Sequence, residues 1–172
     1  MTAVAPALVA SSHEVGDTQA IAGALARLLA PGDLVLLAGE MGAGKTAFAQ
    51  GVGAALGLDE PMTSPTFTLV HTYEIGRTSL HHVDVYRLER MAEVADLAIG
   101  ELLEGDGIVL VEWGDVIATS LGDHLEVRLD ARDLERPDER VVTIRAVGRT
   151  WATRWGRLES ALGPWRDGSP PC

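Results

Sequence analysis

One short segment combines glycines, a lysine and a threonine at a spacing that suits phosphate binding. Residues 39–46 read GEMGAGKT and match the phosphate-binding pattern G-x-x-x-x-G-K-[ST]. In such a loop, backbone N–H groups and the positive end of a helix dipole surround the phosphates. The lysine bonds the β and γ phosphate oxygens, and the hydroxyl binds Mg²⁺. We expect a nucleotide site formed by Gly39, Glu40, Met41, Gly42, Ala43, Gly44, Lys45, Thr46 and Ala47.

The lysine of this segment is unusual within the chain. Lys45 is the only lysine, and the remaining members of the Lys and Arg set are all arginines. An ammonium is a compact point charge that can bridge phosphates, whereas a guanidinium favours planar bidentate partners. The use of an ammonium at this one position favours a specific role for Lys45 over that of an ordinary surface charge.

A loop of this kind needs an acidic residue at the end of a neighbouring apolar strand, to hold Mg²⁺ directly or through water. Two positions compete for that role. Glu112 follows the apolar run 108–111, and Asp84 follows the less apolar segment 80–83. Either carboxylate could polarise an attacking water, and the pattern leaves open which of them contacts the metal directly.

The segment SPTFT at residues 64–68 is a candidate switch region. It follows the predicted helix of the glycine loop and precedes a predicted strand, where switch regions of phosphate-binding loop proteins reach back to the γ-phosphate. Thr66 is therefore a candidate catalytic residue. The alternative is a simple turn set by Pro65.

The elements that must position these residues alternate between strands and helices. Strands are predicted at residues 4–11, 34–38, 67–73, 79–86, 108–111, 125–129 and 141–146. Helices are predicted from Asp17 or Thr18 to about Leu29, over 44–56, over 91–103 with a break at Gly100, and over 149–162. The alternation indicates an α/β fold, a P-loop NTPase-type three-layer sandwich with a central mixed, largely parallel sheet flanked by helices. We expect one domain over residues 1–162 and a flexible tail over 163–172.

Composition narrows the class of protein. The chain has 172 residues, of which 47% are hydrophobic and 23% charged, as in an ordinary globular domain. A single cysteine and no long apolar run predict a cytoplasmic protein without disulfides or membrane spans. The net charge of -11 argues against strong direct nucleic-acid binding. Without thiolates or regular ligand spacing, a core or surface position is predicted for His71, His81 and His82.

With these residues identified, the chain resembles the TsaE family, formerly YjeE, of bacterial P-loop ATPases in tRNA threonylcarbamoyladenosine synthesis. The resemblance runs from about Thr18 to Trp113 and fades after about Asp115. It is carried by GEMGAGKTAFAQG from Gly39, SPTFTLV from Ser64, HVDVYRL from His82 and VEW from Val111. The family usually shows G-D-L-G-A-G-K-T and H-x-D-L-Y-R-L. The departures are Glu40, Met41 and Val85, and none of them removes a phosphate or metal ligand.

The resemblance implies a role for each matching position. It implies a phosphate-binding role for Lys45, Mg²⁺ binding by Thr46 and a switch role for Thr66. It further implies a Walker-B-type role for Asp84, a metal-associated role in hydrolysis for Glu112, and nucleotide contacts by Trp113 and Thr18. The implied ligands are ATP and Mg²⁺. The implied activity is slow ATP hydrolysis, which is stimulated in complex with TsaB and TsaD. This hydrolysis would reset the complex between turnovers, while TsaD modifies the tRNA.

Three other functions fit a phosphate-binding loop. A small-metabolite kinase should carry an arginine-rich lid, and residues 57–73 contain no arginine. A GTPase needs an Asn-Lys-x-Asp element, which cannot form because Lys45 is the only lysine. An interaction module would bind nucleotide without turnover, and residue types alone do not separate it from an ATPase.

Overall fold

The computed structural model describes residues 6–65, 69–85 and 92–166. The strands in these ranges are β1 (Ala7–Ser12), β2 (Leu34–Ala38), β3 (Val70–Ile75), β4 (Thr78–Asp84), β5 (Ile108–Glu112), β6 (His124–Asp133) and β7 (Arg136–Val147). The helices are α1 (Val15–Ala26), α2 (Lys45–Ala55), α3 (Ala92–Glu104) and α4 (Trp155–Ala161). Short 3-10 helices cover Gly114–Val116, Ala118–Ser120 and Gly163–Trp165.

The strands form one mixed sheet in the order β1-β7-β6-β2-β5-β4-β3. The four central strands, β6, β2, β5 and β4, are parallel to their neighbours in that group. The outer pairings, β1 with β7, β7 with β6, and β4 with β3, are antiparallel. The predicted fold class, with a largely parallel centre in a mixed sheet, is confirmed.

Helices cover both faces of this sheet because its central strands are apolar on both sides. Along β2, Val35 and Leu37 join the core that includes α1, α2 and α4. Leu34 and Leu36 join a second core with Ile99 of α3. Continuous apolar runs of this kind are typical of parallel strands buried on both faces. The result is a three-layer sandwich.

The chain order places the glycine loop at one edge of the sheet. Strand β2 runs directly into residues 39–44, and α2 begins at Lys45. Strands β4 and β5 are parallel and pair Asp84 with Glu112, so both carboxylates lie at the carboxyl edge from which the glycine loop also leaves. In open α/β sheets this edge is where ligands bind.

The first helix begins earlier than predicted. We expected Asp17 or Thr18 as the N-cap, but α1 starts at Val15 with Glu14 as its N-cap. Asp17 lies in the first turn, where its carboxylate accepts the His13 N–H at 2.9 Å. An acidic side chain in the first turn can stabilise the start of a helix by accepting a hydrogen bond from a backbone N–H that precedes the helix.

The predicted break at Gly100 is also wrong. Helix α3 continues through Gly100 to Glu104. Glycine in a helix costs about 1 kcal/mol relative to alanine, and Ile99 next to it is fully buried. Packing of α3 against the sheet therefore outweighs the poor helix propensity of one residue.

The closing helix is shorter than the expected range 149–162. The Asp123 carboxylate accepts the backbone N–H groups of Arg149 and Thr150 at 2.8 and 3.0 Å. These contacts hold the chain in tight turns until α4 begins at Trp155. Beyond α4, Gly163–Trp165 form a 3-10 helix and Arg166 bridges to Ala10. Within the first part of the expected tail, Trp165 packs against the core, and 167–172 lie outside the described residues.

The strands predicted at 67–73 and 79–86, and those at 125–129 and 141–146, form two hairpins with shifted ends. β3 and β4 are joined by a turn at Gly76, and β6 and β7 extend beyond the predicted ranges 125–129 and 141–146. In that second hairpin the Asp133 carboxylate accepts the N–H groups of Glu135 and Arg136, which closes the turn. Among the described residues, none of the helices combines the length and apolar character needed to cross a membrane.

Candidate functional site

The glycine loop needs glycine for two separate reasons. At Gly39 a Cβ would lie 2.4 Å from the carbonyl oxygen of Leu129 in β6, so only glycine lets the two backbones approach this closely. Gly44 has a φ of 103° and forms the N-cap of α2, a conformation that other residues rarely adopt. These positions allow the chain to leave β2, fold into a compact loop and enter a helix at once.

The N-terminus of α2 points its backbone donors at the cavity beside the loop. Its N-cap, Gly44, has no side chain to cap the first turn, and no acidic residue lies there. The first N–H groups of a helix have no partner inside the helix, and together they carry a partial positive charge. This end of α2 is therefore suited to an anion.

The Lys45 side chain is folded over the loop and withdrawn from water. Its Nζ donates hydrogen bonds to the carbonyl oxygens of Gly39 and Glu40 at 2.7 and 2.8 Å. The ammonium also lies 3.9 Å from the centre of the Trp113 ring, within the range of a cation–π interaction. Only 5% of Lys45 is exposed, so protein groups replace most of its hydration.

Burial lowers the pKa of the Lys45 ammonium below its ordinary value. The nearby carboxylates of Glu112, Asp115 and Asp84 act in the opposite direction and raise it. The loss of hydration is the larger effect. Burial thus destabilises the charged form of Lys45, and an additional anion in the cavity would stabilise that charged form.

A cavity of about 430 Å³ lies beside Lys45. Its lining residues come from the glycine loop, the start of α2, the segment between α2 and β3, and the ends of β4 and β5, namely Met41, Gly42, Gly44, Lys45, Thr46, Ser64, Asp84, Glu112 and Trp113. This volume lies in the range typical of small-ligand sites. The sheet thus brings most of the predicted site residues to one place.

The oxygen-bearing side chains of this cavity contact each other. The Thr46 hydroxyl donates to Glu112 Oε1 at 3.5 Å, and the Ser64 hydroxyl donates to Asp84 Oδ2 at 3.2 Å. Mg²⁺ prefers oxygen ligands and in nucleotide sites takes one or two from the protein, with water and phosphate as the rest. The Thr46, Asp84 and Glu112 donor set fits this requirement.

A buried histidine stands behind Glu112 and was not recognised from the sequence as part of the site. His82 Nε2 lies 2.8 Å from Glu112 Oε1, and both side chains are buried. Because a carboxylate only accepts hydrogen bonds, Nε2 is the donor. His82 was predicted to be a core or surface residue and does lie in the core, but its role there is to hold the carboxylate of Glu112. The available signals were its position two residues before Asp84 and its place as the first residue of the HVDVYRL segment that resembles the family motif.

Trp113 has an unusual backbone at the end of β5. Its φ is 62°, in the left-handed region that costs a non-glycine residue about 1 kcal/mol or more. The strained turn carries the indole ring to the Lys45 ammonium. Strain that persists at a cavity wall is typical of functional sites.

The remaining predicted site residues either lie in or near the glycine loop without lining the 430 Å³ cavity, or lie outside the described residues. Glu40 and Ala43 line a separate cavity of about 280 Å³ on the other side of the glycine loop. Thr18 is buried beneath the loop, with its hydroxyl 2.7 Å from that of Ser12. Gly39 is buried and Ala47 half-buried in α2. Thr66 lies outside the described residues, so its switch role stays a prediction, as do the nucleotide, metal and catalytic roles of the other site residues.

Known proteins resemble this chain in both sequence and fold. A family model described as Threonylcarbamoyl adenosine biosynthesis protein TsaE matches residues 12–141. The tRNA threonylcarbamoyladenosine biosynthesis protein TsaE of Bacillus subtilis is 39% identical over 136 residues, 78% of this chain and 83% of that protein. Its counterpart in Mycobacterium tuberculosis is 37% identical over 158 residues, 86% of this chain and 87% of that protein.

A solved structure agrees with these matches. The crystal structure of YdiB from Bacillus subtilis aligns with a TM-score of 0.75 at 31% sequence identity, covering 92% of this chain and 98% of that one. The family match ends at residue 141, beyond the point near Asp115 where the sequence resemblance was expected to fade. Strand β6 and the first half of β7 therefore belong to the family region.

The lowered pKa of Lys45 predicts its reactivity. Because the native ammonium loses its proton at lower pH than an ordinary lysine, the neutral amine that reacts with acylating reagents forms at lower pH. We expect the normalised pH profile of Lys45 acylation to lie at lower pH in the native protein than in the urea-unfolded chain, with peptide mapping to separate Lys45 from the N-terminus. A native profile at the same or higher pH contradicts the prediction.

Proposed function

The chain belongs to the TsaE family of tRNA threonylcarbamoyladenosine biosynthesis proteins, and from this premise we propose that it binds ATP with Mg²⁺ and hydrolyses it slowly. Hydrolysis would reset the complex of the TsaB and TsaD proteins of the same pathway. The observation that carries this proposal is the convergence of the only lysine of the chain, a helix N-terminus and two carboxylates on one cavity.

The phosphate-binding part of the proposal rests on Lys45 and the start of α2. In the present structure the ammonium bonds two carbonyls of its own loop. A polyphosphate in the cavity offers oxygens with full negative charge, which are stronger partners than carbonyls. Lys45 would turn from the loop to those oxygens, and the first N–H groups of α2 would donate to the same phosphates.

The charge of the cavity supports a requirement for a divalent cation. Glu112 and Asp84 place two carboxylates beside one ammonium, so a bare triphosphate would meet more negative than positive charge. Thr46, Glu112 and Asp84 would hold Mg²⁺, which supplies positive charge between the carboxylates and the phosphate oxygens. This neutralisation lets an acidic protein bind a polyanion.

The hydrolytic part of the proposal rests on Glu112. Its hydrogen bond from His82 and its contact with the Thr46 hydroxyl hold the carboxylate at the edge of the cavity. A carboxylate in this position can orient a water molecule and accept its proton as the water attacks a phosphoryl group. Asp84 lies on the neighbouring strand in register with Glu112 and would share the work of binding the metal.

The segment around Ser64 supports a nucleotide-dependent loop. Ser64 lines the cavity and donates to Asp84, so the chain that leads to Thr66 starts at the site itself. We propose that Thr66 completes the site when nucleotide binds and that hydrolysis releases it. This cycle would let the protein signal its nucleotide state to TsaB and TsaD in the cytoplasm, while the partners contact the tRNA.

The first prediction concerns ATP binding. Lys45→Ala removes a charge-assisted contact worth about 3 kcal/mol, so ATP affinity should fall by about a hundredfold or more. Titration calorimetry with MgATP measures this change. Arg157→Ala removes an equal charge from the exposed surface of α4 and should leave affinity unchanged. Affinity retained in Lys45→Ala contradicts the proposal.

The second prediction concerns turnover. Glu112→Gln should lower the rate of phosphate release by about a hundredfold or more, the range for loss of a general base, while ATP affinity changes less than tenfold. The control Glu104→Gln changes an exposed carboxylate at the end of α3. Equal turnover in Glu112→Gln and the wild type would favour an interaction module. Phosphate release that requires an acceptor molecule would favour a kinase.

The third prediction concerns partners. ATP hydrolysis by this protein should rise when TsaB and TsaD from the same organism are added together, because the proposed cycle acts on their complex. The measurement is phosphate release with each protein alone and in combination. Replacing the wild type by Lys45→Ala in the full mixture should remove the added activity, which shows that this chain is its source. No rise in the full mixture would argue against the partner assignment.

A further inference from the structure

We propose that Arg140 of β7 is a positioning residue that holds the outer side of the glycine loop and so directs the loop's backbone N–H groups towards the phosphates. This inference rests on the proposed ATP binding and adds to it a residue outside the sequence motifs. Arg140 lies on β7, paired with Ser12 of β1 and Ala131 of β6. It is separated from the loop by about a hundred residues of chain.

The guanidinium of Arg140 contacts the loop through two of its nitrogens. Nε donates to the Ala43 carbonyl at 2.9 Å, and Nη2 donates to the Gly42 carbonyl at 3.2 Å. Nη1 donates to the carbonyls of Pro137 and Glu139 in its own strand. The fork is therefore anchored on β7 at one side and on the loop at the other.

The contacts lie on the side of the loop away from Lys45. Met41 and Gly42 line both the 430 Å³ cavity of Lys45 and the 280 Å³ cavity of Arg140. The loop is the wall between these two cavities. Arg140 supports this wall from behind.

Peptide geometry transmits this support to the nucleotide side. In a planar trans peptide, the C=O and the N–H point in opposite directions. The carbonyl of Ala43 belongs to the same peptide as the N–H of Gly44, so an outward carbonyl held by Arg140 directs that N–H inward. Within the described part of the chain, the Gly44 N–H makes no hydrogen bond, so it is available to a phosphate oxygen.

A second peptide links Arg140 to Lys45. The Gly42 carbonyl bonded by Arg140 shares a peptide with the N–H of Ala43, which donates to the Glu40 carbonyl at 3.1 Å. That same carbonyl accepts a bond from Lys45 Nζ. Consecutive hydrogen bonds through peptide groups polarise one another. The two cations therefore hold the loop between them.

The charge of Arg140 remains available to the loop. Its hydrogen bonds go to carbonyl oxygens, and it takes part in none of the ion pairs formed among the described residues. A guanidinium that is not neutralised by a carboxylate adds positive potential beside a phosphate site. It also polarises both peptides in the direction that strengthens their N–H donors.

The test compares Arg140→Ala and Arg140→Lys with Arg145→Ala. Arg145 lies on the same strand and is exposed, but it faces away from the loop. Its substitution by alanine removes the same charge. We expect Arg140→Ala to weaken MgATP binding by about tenfold or more in titration calorimetry, with the turnover rate at saturating ATP changed less than threefold. Arg140→Lys should not restore affinity, because an ammonium cannot bond both carbonyls in the geometry of the fork. Arg145→Ala should match the wild type.

A readout without nucleotide makes the test independent of ATP binding. In hydrogen–deuterium exchange of the ligand-free proteins, residues 39–46 should exchange faster in Arg140→Ala and in Arg140→Lys than in Arg145→Ala, while peptides of β2 and β5 remain unchanged. Exchange that rises throughout the sheet would mean a general loss of stability and would overturn the proposal.

The outcomes separate this inference from the proposed function. If wild-type protein does not bind MgATP, the proposed function fails. If the wild type binds and Lys45→Ala does not, but Arg140→Ala binds as tightly as the wild type, the positioning role alone fails. Restoration of both affinity and loop protection by Arg140→Lys would show that charge, rather than the fork, is what matters, and would also overturn it.

Discussion

The burial of one ammonium group organises this molecule. Lys45 has given up most of its hydration, and the structure replaces it with two loop carbonyls, an indole ring and the field of nearby carboxylates. These groups come from the glycine loop and from the ends of β4 and β5, and each must be held in place. The loop carbonyls require the compact turn at Gly39, the indole requires the strained backbone of Trp113, and the carboxylates require the register of β4 and β5.

The compensation of this charge is only partial, which would favour the proposed binding of a phosphate group. Carbonyl dipoles and a ring face are weaker partners for an ammonium than a phosphate oxygen is. The lysine therefore keeps a driving force to change partners when an anion enters. If Lys45 formed a direct salt bridge to Glu112, that bond would have to break before Lys45 could bind the phosphates of the proposed nucleotide. The bond from His82 to Glu112 instead ties the carboxylate to β4.

The antiparallel extension of the sheet serves the same loop. Leu129 of β6 meets Gly39 at a distance that excludes any side chain, and Arg140 of β7 bonds the next turn of the loop. The strands that follow the recognisable motifs thus form the rear support of the site. Both contacts lie within residues 12–141, the range that matches the family model.

The sequence by itself determined the local features of this protein. The run 34–38, the glycine segment and the helix after it depend on neighbouring residues and on short-range patterns, and all lie where they were predicted. The starts of α1 and α4, at Glu14 and Trp155, were missed because they depend on hydrogen bonds between side chains and backbone. The carboxylates of Asp17 and Asp123 accept the backbone N–H groups of His13 and Arg149. Only the tertiary structure decided that Asp84 and Glu112 are register partners, that His82 stands behind Glu112, and that Arg140 reaches the glycine loop. These relations join residues that are distant along the chain, and their distances arise from strand order and register, which no local pattern encodes.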